Sequence, residues 1–193
     1  AADKTFAMRQ LEIFNGVVTI LPGNHLATDK WDRLLTAGRC RWGFADDDSH
    51  RIEQAGMGWN VVRVRRRTAK EILAALQSGS FYASSGVEIE MIECAGPTIH
   101  LVAPKADAMA VFTDYGARVH RVDGPELRFD ASQVNGLYVR VECYGRGGTC
   151  AWTQPFRLQN GLRDRIRQRF VKTAGGSRPR LRVSKTSRAP KID

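Results

Sequence analysis

The chain has 193 residues, of which 42% are hydrophobic and 26% are charged, a globular composition that excludes a wholly disordered chain. No apolar run reaches the roughly 20 residues of a membrane-spanning helix, so we expect no membrane partner. The first residues carry neither a start methionine nor a signal-peptide pattern, so we expect a chain that is cut at its front. The formal net charge of +10 comes from residues 157–193, which hold twelve Lys or Arg and two Asp, while the 18 basic and 18 acidic groups elsewhere cancel; this excludes a body whose main face binds phosphate backbones.

The first 80 residues alternate between short apolar runs, which predict strands, and amphipathic runs, which predict helices. Thr28 is a predicted N-cap of the first helix, and Gly38 is its predicted stop. Thr68 and Glu71 form a predicted capping box at the start of the second helix, which ends at Gly79. This order of elements is typical of parallel α/β architecture. The predicted strands are residues 10–16, 40–45 and 59–64.

The pattern changes after residue 81, where seven strand-like runs follow one another at about ten-residue spacing and predict a small β-sandwich. We therefore predict a domain boundary near residue 84. The chain divides into residues 1–83, residues 84–160 and a basic tail at 161–193, which is predicted to be disordered. The seven runs are residues 87–92, 99–103, 110–113, 117–121, 126–129, 137–143 and 151–158.

The four cysteines show no CxxC spacing, which disfavours a structural zinc site. Cys143 and Cys150 flank a glycine-rich turn, and a two-residue hairpin at Arg146 and Gly147 would bring their sulfurs face to face at a disulfide spacing. The alternative, two reduced thiols on a strand pair, is the favoured interpretation.

The sequence Asp-Ser-His at positions 48–50 follows directly after an apolar predicted strand. Asp48 and His50 offer carboxylate oxygen and imidazole nitrogen, a donor set suited to zinc, manganese or iron. In barrels of parallel strands, the active-site side chains lie at the carboxyl ends of the strands. The alternative is a solvated acidic loop without a ligand.

Eight segments in order resemble the PHP (polymerase and histidinol phosphatase) family, and specifically its carbaryl-hydrolase-like branch. The resemblance covers about residues 8–158 and leaves out the basic tail. The segments are residues 12–16, 31–39, 43–50, 59–64, 72–79, 81–86, 138–142 and 151–155.

The resemblance implies an α/β plus all-β fold: the C-terminal strands and helices of a (β/α)7 barrel, whose N-terminal part is absent, followed by a small β-sandwich-like domain. It implies a site with two or three divalent ions (zinc, manganese or iron), in which Asp48 and His50 are metal ligands and catalytic residues. Glu12 and Asn15 are implied to orient a ligand or bind a metal-bound water. The implied reaction is metal-assisted hydrolysis of a small-molecule ester, phosphoester, carbamate or amide.

The HxH motif and the other early ligands of that family are not found in the sequence. Since two ligands do not hold a catalytic ion as three or four do, we expect this chain alone to be inactive and to form the C-terminal part of such a hydrolase. An inactive remnant is one alternative, and a module that binds nucleic acid through the basic tail is another. Apolar strand edges of an incomplete barrel would favour self-association.

The remaining histidines are weaker candidates. His25, in a predicted loop, is assigned a surface or packing role, and His100 and His120 fall in predicted strands of the second domain. The arginines at 63 and 65–67 could face a phosphate, but a solvated strand edge is the favoured interpretation.

Overall fold

The computed structural model describes residues 10–39 and 41–158, which form three β-sheets and two α-helices. The helices are α1 (Thr28–Thr36) and α2 (Ala69–Ser78). The strands are β1 (Gln10–Asn15), β2 (Trp42–Asp46), β3 (Trp59–Val62), β4 (Phe81–Ser84), β5 (Met91–Ala95), β6 (Thr98–Val102), β7 (Ala106–Thr113), β8 (Ala117–Asp123), β9 (Glu126–Asp130), β10 (Tyr138–Gly145), β11 (Cys150–Thr153) and β12 (Phe156–Arg157).

Strands β1 and β2 form a two-stranded parallel sheet, and α1 lies between them in the chain. The helix buries Trp31 completely, in one apolar cluster with Ile13 of β1. Gly43 permits this contact, because a Cβ at that position would lie 2.8 Å from Ile13 Cδ1 and 2.9 Å from the Trp31 ring. The parallel pair therefore depends on a residue without a side chain in β2.

The largest sheet has seven strands in the order β3-β4-β11-β10-β7-β8, with β12 paired to β10. All of its pairings are antiparallel. Because β4 pairs with both β3 and β11, the sheet contains strands from both sides of residue 84, where the sequence predicts a domain boundary.

The third sheet, β5-β6-β9, is also antiparallel. Its inner side chains share one apolar cluster with those of the seven-stranded sheet, so the two sheets are sandwich-like. Leu101 and Leu127 come from the smaller sheet, Met109 and Val141 come from the larger one, and all four are fully buried. Complete burial of each such side chain contributes about 1.5–3 kcal/mol to the free energy of unfolding.

The predicted fragment of a (β/α)7 barrel is wrong. The described residues are largely β, with two helices, and only β1 and β2 pair in parallel. Strands β3 and β4 flank α2 but pair antiparallel with each other. The helix does not act as a buried crossover, since Ala75 is its only buried residue and Leu73 of its predicted apolar stripe is 57% exposed.

Two side-chain amides close the outer edge of β2. Gln154 accepts from the Gly43 N–H at 2.9 Å and donates to the Gly43 carbonyl at 2.7 Å. Asn60 makes the same pair of bonds with Ala45, at 3.1 and 2.7 Å. These amides replace the hydrogen bonds that a neighbouring strand would make, and they attach the parallel pair to the seven-stranded sheet.

The outer edge of β1 is closed by the segment that precedes α1. The Asn15 N–H donates to the His25 carbonyl and the Ala27 N–H to the Ile13 carbonyl, each at 3.0 Å. Phe14 and Leu26 form an antiparallel bridge between these bonds. Both edges of the parallel pair are thus hydrogen-bonded.

The predicted helix termini are confirmed in part. Thr68 caps α2 by accepting from the Glu71 N–H, and Gly79 ends that helix in the left-handed conformation. Glu71 does not complete the capping box, because its carboxylate accepts from the backbone N–H groups of Arg65 and Arg66. Thr28 is the first residue of α1 rather than its N-cap.

No disulfide joins Cys143 to Cys150, and both thiols are buried. The ladder pairs Cys143 with Ala151 and Tyr144 with Cys150, because the turn is the three-residue segment Arg146–Gly148 rather than a two-residue hairpin. The two thiols therefore lie on opposite faces of the sheet, which agrees with the interpretation as two free thiols on a strand pair.

The two helices have nine and ten residues. Within residues 10–39 and 41–158, neither is long and apolar enough to cross a bilayer.

Candidate functional site

The carboxyl ends of β1 and β2 bring the predicted site residues to one end of the parallel pair. Asn15 and Asp46 are register partners at the last position of the two strands. The chain continues from Asp46 into Asp47 and Asp48, and the Gly16 N–H donates to the Asp46 carbonyl at 2.8 Å. Adjacent parallel strands thus place Asn15 beside the acidic run.

Asp47 organises the loop that follows β2. Its carboxylate accepts three backbone N–H groups: Gly56 at 2.8 Å, Met57 at 2.5 Å and Gly58 at 2.6 Å. Gly58 fits closely there, because a Cβ would lie 2.6 Å from the Asp46 carbonyl oxygen and 2.9 Å from the Phe14 ring. The carboxylate therefore closes residues 48–55 into a loop.

Asp48 is held in an unusual conformation at the start of this loop. Its φ angle is 50°, in the left-handed region that costs energy for a residue with a side chain. The Asn15 side-chain N–H donates to Asp48 Oδ2 at 3.1 Å, while Asn15 Oδ1 accepts from the Val18 N–H at 3.0 Å. Asn15 thus orients the predicted metal ligand from the neighbouring strand.

His50 is exposed at the same end, and its backbone is fixed inside the loop. Gln54 Oε1 accepts from the N–H groups of His50 at 2.8 Å and Arg51 at 3.1 Å.

The site has a negative electrostatic potential. The pKa of Asp46 is raised by partial burial and then by the nearby charges of Glu12, Asp48 and Asp47. Like charges this close disfavour ionisation of one another. A cation bound at this end would relieve the repulsion.

The types of donor atom fit zinc, manganese or iron, with carboxylate oxygen at Asp48 and imidazole nitrogen at His50. The number of ligands is incomplete. Within the part of the chain that the structure describes, no group of three or more His, Cys, Asp or Glu side chains converges to hold an ion. A complete centre needs further ligands.

A shallow groove of about 280 Å³ runs along β1 beside this end, and its lining includes Glu12, Asn15, His25 and Lys30. Since Asn15 also contacts Asp48, the groove adjoins the acidic run. His25 packs edge-on against Phe14, with ring centroids 5.9 Å apart, as its assigned packing role predicts.

The two remaining candidate histidines and the arginines at 63 and 65–67 lie outside the site. His100 bonds to Glu126 at 2.8 Å, and the His120 ring lies 5.3 Å from that of Phe129. The arginines at 63 and 65–67 are exposed at the end of β3.

Sequence reasoning missed Asp46, Asp47 and Gln54 as organisers of this end of the molecule. The run of three aspartates is visible in the sequence, but nothing local separates one that folds the loop from one that is free to bind. That distinction depends on backbone N–H groups nine to eleven residues away.

In comparisons with family models, curated proteins and solved structures, no match to this chain was found.

Proposed function

We propose that this chain is the C-terminal part of a PHP-type metal-dependent hydrolase and that it contributes Asp48 and His50 to the metal centre. The observation that supports this most directly is the hydrogen bond from Asn15 to Asp48 across the ends of two parallel strands. A carboxylate ligand is commonly oriented by such a neighbour. This contact supports the role that the resemblance implies for Asn15, which is to orient a metal ligand.

The electrostatics and exposure of the site also support the proposal. Glu12, Asp46 and Asp48 create a negative potential, and Asp48 and His50 are both exposed to an incoming ion. A bound divalent ion would lower the pKa of a coordinated water and so supply hydroxide at neutral pH. The substrate is a small-molecule ester, phosphoester, carbamate or amide.

The remaining ligands must come from polypeptide outside the described residues or from another chain. Two protein ligands hold an ion more weakly than the three or four of a complete catalytic centre. We therefore expect weak but measurable cation binding by this chain, without hydrolytic activity.

The test is titration of the purified chain with Mn²⁺ and Zn²⁺ by calorimetry, together with elemental analysis. We expect binding near one ion per chain, weakened at least about tenfold in Asp48→Ala and His50→Ala. His100→Ala is the matched control, because that histidine bonds to Glu126 on another sheet. Equal binding by all four proteins, or no binding by the unaltered chain, would overturn the proposal and favour an inactive remnant.

The charge of residues 157–193 favours a second candidate function, nucleic-acid binding through the basic tail. This segment carries the whole net charge of the chain, and phosphate contacts make binding steeply salt-dependent. Deletion of residues 161–193 should abolish salt-dependent binding to a double-stranded DNA fragment. Binding that survives the deletion would exclude the tail as the binding element.

A further inference from the structure

We propose that the amino end of the β1–β2 pair is a binding surface for single-stranded nucleic acid, formed by arginines from two segments and by the exposed ring of Tyr115. We call this surface the arginine end. The inference does not depend on the proposed metal centre, which lies at the other end of the same strands, or on the basic tail. The arginines are Arg39, Arg41, Arg63, Arg65, Arg66 and Arg67.

The fold separates the charges of a body that is neutral as a whole. The acidic run at 46–48 follows the carboxyl end of β2, whereas Arg39 and Arg41 precede its amino end. Strand β3 begins beside Asp47, whose carboxylate accepts from the Gly58 N–H, and it runs away from the acidic run toward Arg63. Both arginine segments therefore lie at the end opposite to the acidic residues.

The C-terminal end of α2 brings the two arginine segments together. The Trp42 indole N–H donates to the Gln77 carbonyl of α2 at 2.9 Å. The Arg63 N–H donates to the carbonyl of Ser80, just after the same helix, also at 2.9 Å. Because Trp42 follows Arg41 directly in the chain, Arg41 and Arg63 lie at one place on the molecule.

The loop after β3 presents further arginines to solvent. The Glu71 carboxylate accepts from the backbone N–H groups of Arg65 at 3.0 Å and Arg66 at 2.8 Å, and it forms an ion pair with the Arg66 side chain at 3.4 Å. Arg65 and Arg67 are exposed. A guanidinium group binds phosphate oxygens through two parallel N–H donors, so a fixed loop with exposed arginines suits a phosphate backbone.

Tyr115 adds an aromatic ring to the arginine end. Its N–H donates to Thr36 Oγ1 at 2.8 Å, and the Arg39 N–H donates to the Leu34 carbonyl at 2.9 Å, so both residues lie at the C-terminal end of α1. Tyr115 is 79% exposed, and its φ of 59° is an outlier for a bulky residue, of the kind that collects at functional sites. Unpaired bases stack on such a ring while nearby cations bind the backbone. The bases of a duplex are already stacked, so a single strand fits this surface better.

The experiment measures binding of a fluorescein-labelled oligothymidylate of about 16 nucleotides by fluorescence anisotropy, at about 50 and 200 mM salt. The full chain is compared with Arg65→Glu/Arg67→Glu, with Tyr115→Ala and with Tyr115→Phe. The matched control is Arg121→Glu/Arg128→Glu, which changes the net charge equally on β8 and β9. The basic tail is present in every variant, so its contribution does not affect the comparison.

We expect Arg65→Glu/Arg67→Glu to bind at least about tenfold more weakly at the lower salt concentration. The slope of log affinity against log salt should fall by about 1.4, because two phosphate contacts to a single strand are lost. Tyr115→Ala should bind about tenfold more weakly, whereas Tyr115→Phe keeps the ring and should bind normally. The Arg121→Glu/Arg128→Glu control should keep most of its affinity.

Each remaining result would overturn the proposal. Equal losses in the two charge-reversed variants would mean that net charge, rather than the arginine end, governs binding. Unchanged affinity in Tyr115→Ala, or equal competition by an unlabelled duplex, would exclude a single strand stacked on Tyr115. If the arginine variant loses binding to phosphatidylserine vesicles but not to the oligonucleotide, the partner is an anionic membrane.

Absence of oligonucleotide binding by the unaltered chain would overturn the proposal outright. If Tyr115→Ala does not fold, Tyr115→Gly takes its place, because glycine adopts a positive φ without strain. Unchanged affinity in that variant would then exclude stacking on Tyr115.

Discussion

Arg140 of β10 and Asp32 of α1 form a buried two-point ion pair across 108 positions of sequence. Arg140 Nε donates to Asp32 Oδ1 and Nη2 donates to Oδ2, each at 2.7 Å, and the two residues are 2% and 3% exposed. The guanidinium carbon lies 5.2 Å from the Trp31 ring centroid and 4.8 Å from that of Phe112. This ion pair attaches the helix of the parallel pair to the largest sheet.

We predict that Arg140→Met lowers the free energy of unfolding by about 3–5 kcal/mol, because it leaves the buried carboxylates of Asp32 and Glu142 without their cationic partner. Urea denaturation measures the change. Arg128→Met is the control, since Arg128 forms a solvent-exposed ion pair with Glu126, and exposed pairs contribute little to stability. Equal losses in the two variants would contradict the assigned role of Arg140.

We predict that Gln154→Leu lowers the free energy of unfolding by about 2–4 kcal/mol, because it leaves both the N–H and the carbonyl of Gly43 without partners. Amide exchange at Gly43 should also become faster. Gln77→Leu, on the exposed face of α2, should change the free energy of unfolding by less than about 0.5 kcal/mol. An unchanged exchange rate at Gly43 would show that the Gln154 amide does not protect β2.

We predict that Asp46→Asn raises the melting temperature at pH 7. The raised pKa of Asp46 in the folded chain means that its ionised form destabilises the fold. The loss of stability is complete at pH values above the pKa of Asp46 in the folded chain. It diminishes as the pH falls and is absent below 3.8, the ordinary pKa of an Asp side chain. The gain in melting temperature should therefore vanish in acid, and a gain that persists at pH 3 would contradict the electrostatic cause.

We predict that iodoacetamide modifies Cys94 in the folded chain and leaves Cys143 and Cys150 unmodified. Cys94 is exposed and the other two are buried; burial raises the pKa of Cys143 to about 12, so little thiolate forms. Peptide mass spectrometry in a Cys40→Ser background, at pH 8, measures the labelling. If Cys143 is modified as fast as Cys94 without denaturant, the thiol of Cys143 is not buried in the folded chain.

Local sequence signals predicted the elements better than their arrangement. The Thr68 cap, the Gly79 stop and most strands after residue 84 follow from short-range patterns. The antiparallel pairing of β4 with β11, the bonds of Gln154 to Gly43 and the Asp32–Arg140 ion pair join residues far apart in sequence. A strand-helix-strand order is compatible with parallel or antiparallel pairing, and these distant contacts decide between the two.

The candidate site was predictable to the same extent. The resemblance implied that Asn15 lies near Asp48 and His50, and in the structure the Asn15 side-chain nitrogen lies 3.1 Å from Asp48 Oδ2. The loop-closing role of Asp47 was not predictable, since it requires the path of the chain from 56 to 58.

The closed edges of the β1–β2 pair restrict how any further polypeptide can reach the candidate site. Lateral addition of a strand would first have to displace the Gln154 and Asn60 amides on one side or residues 25–27 on the other. The open-edge route to self-association is blocked at this pair for the same reason. Under the proposed function, a segment that supplies further ligands would therefore reach the ends of β1 and β2 by a route other than pairing as an added strand.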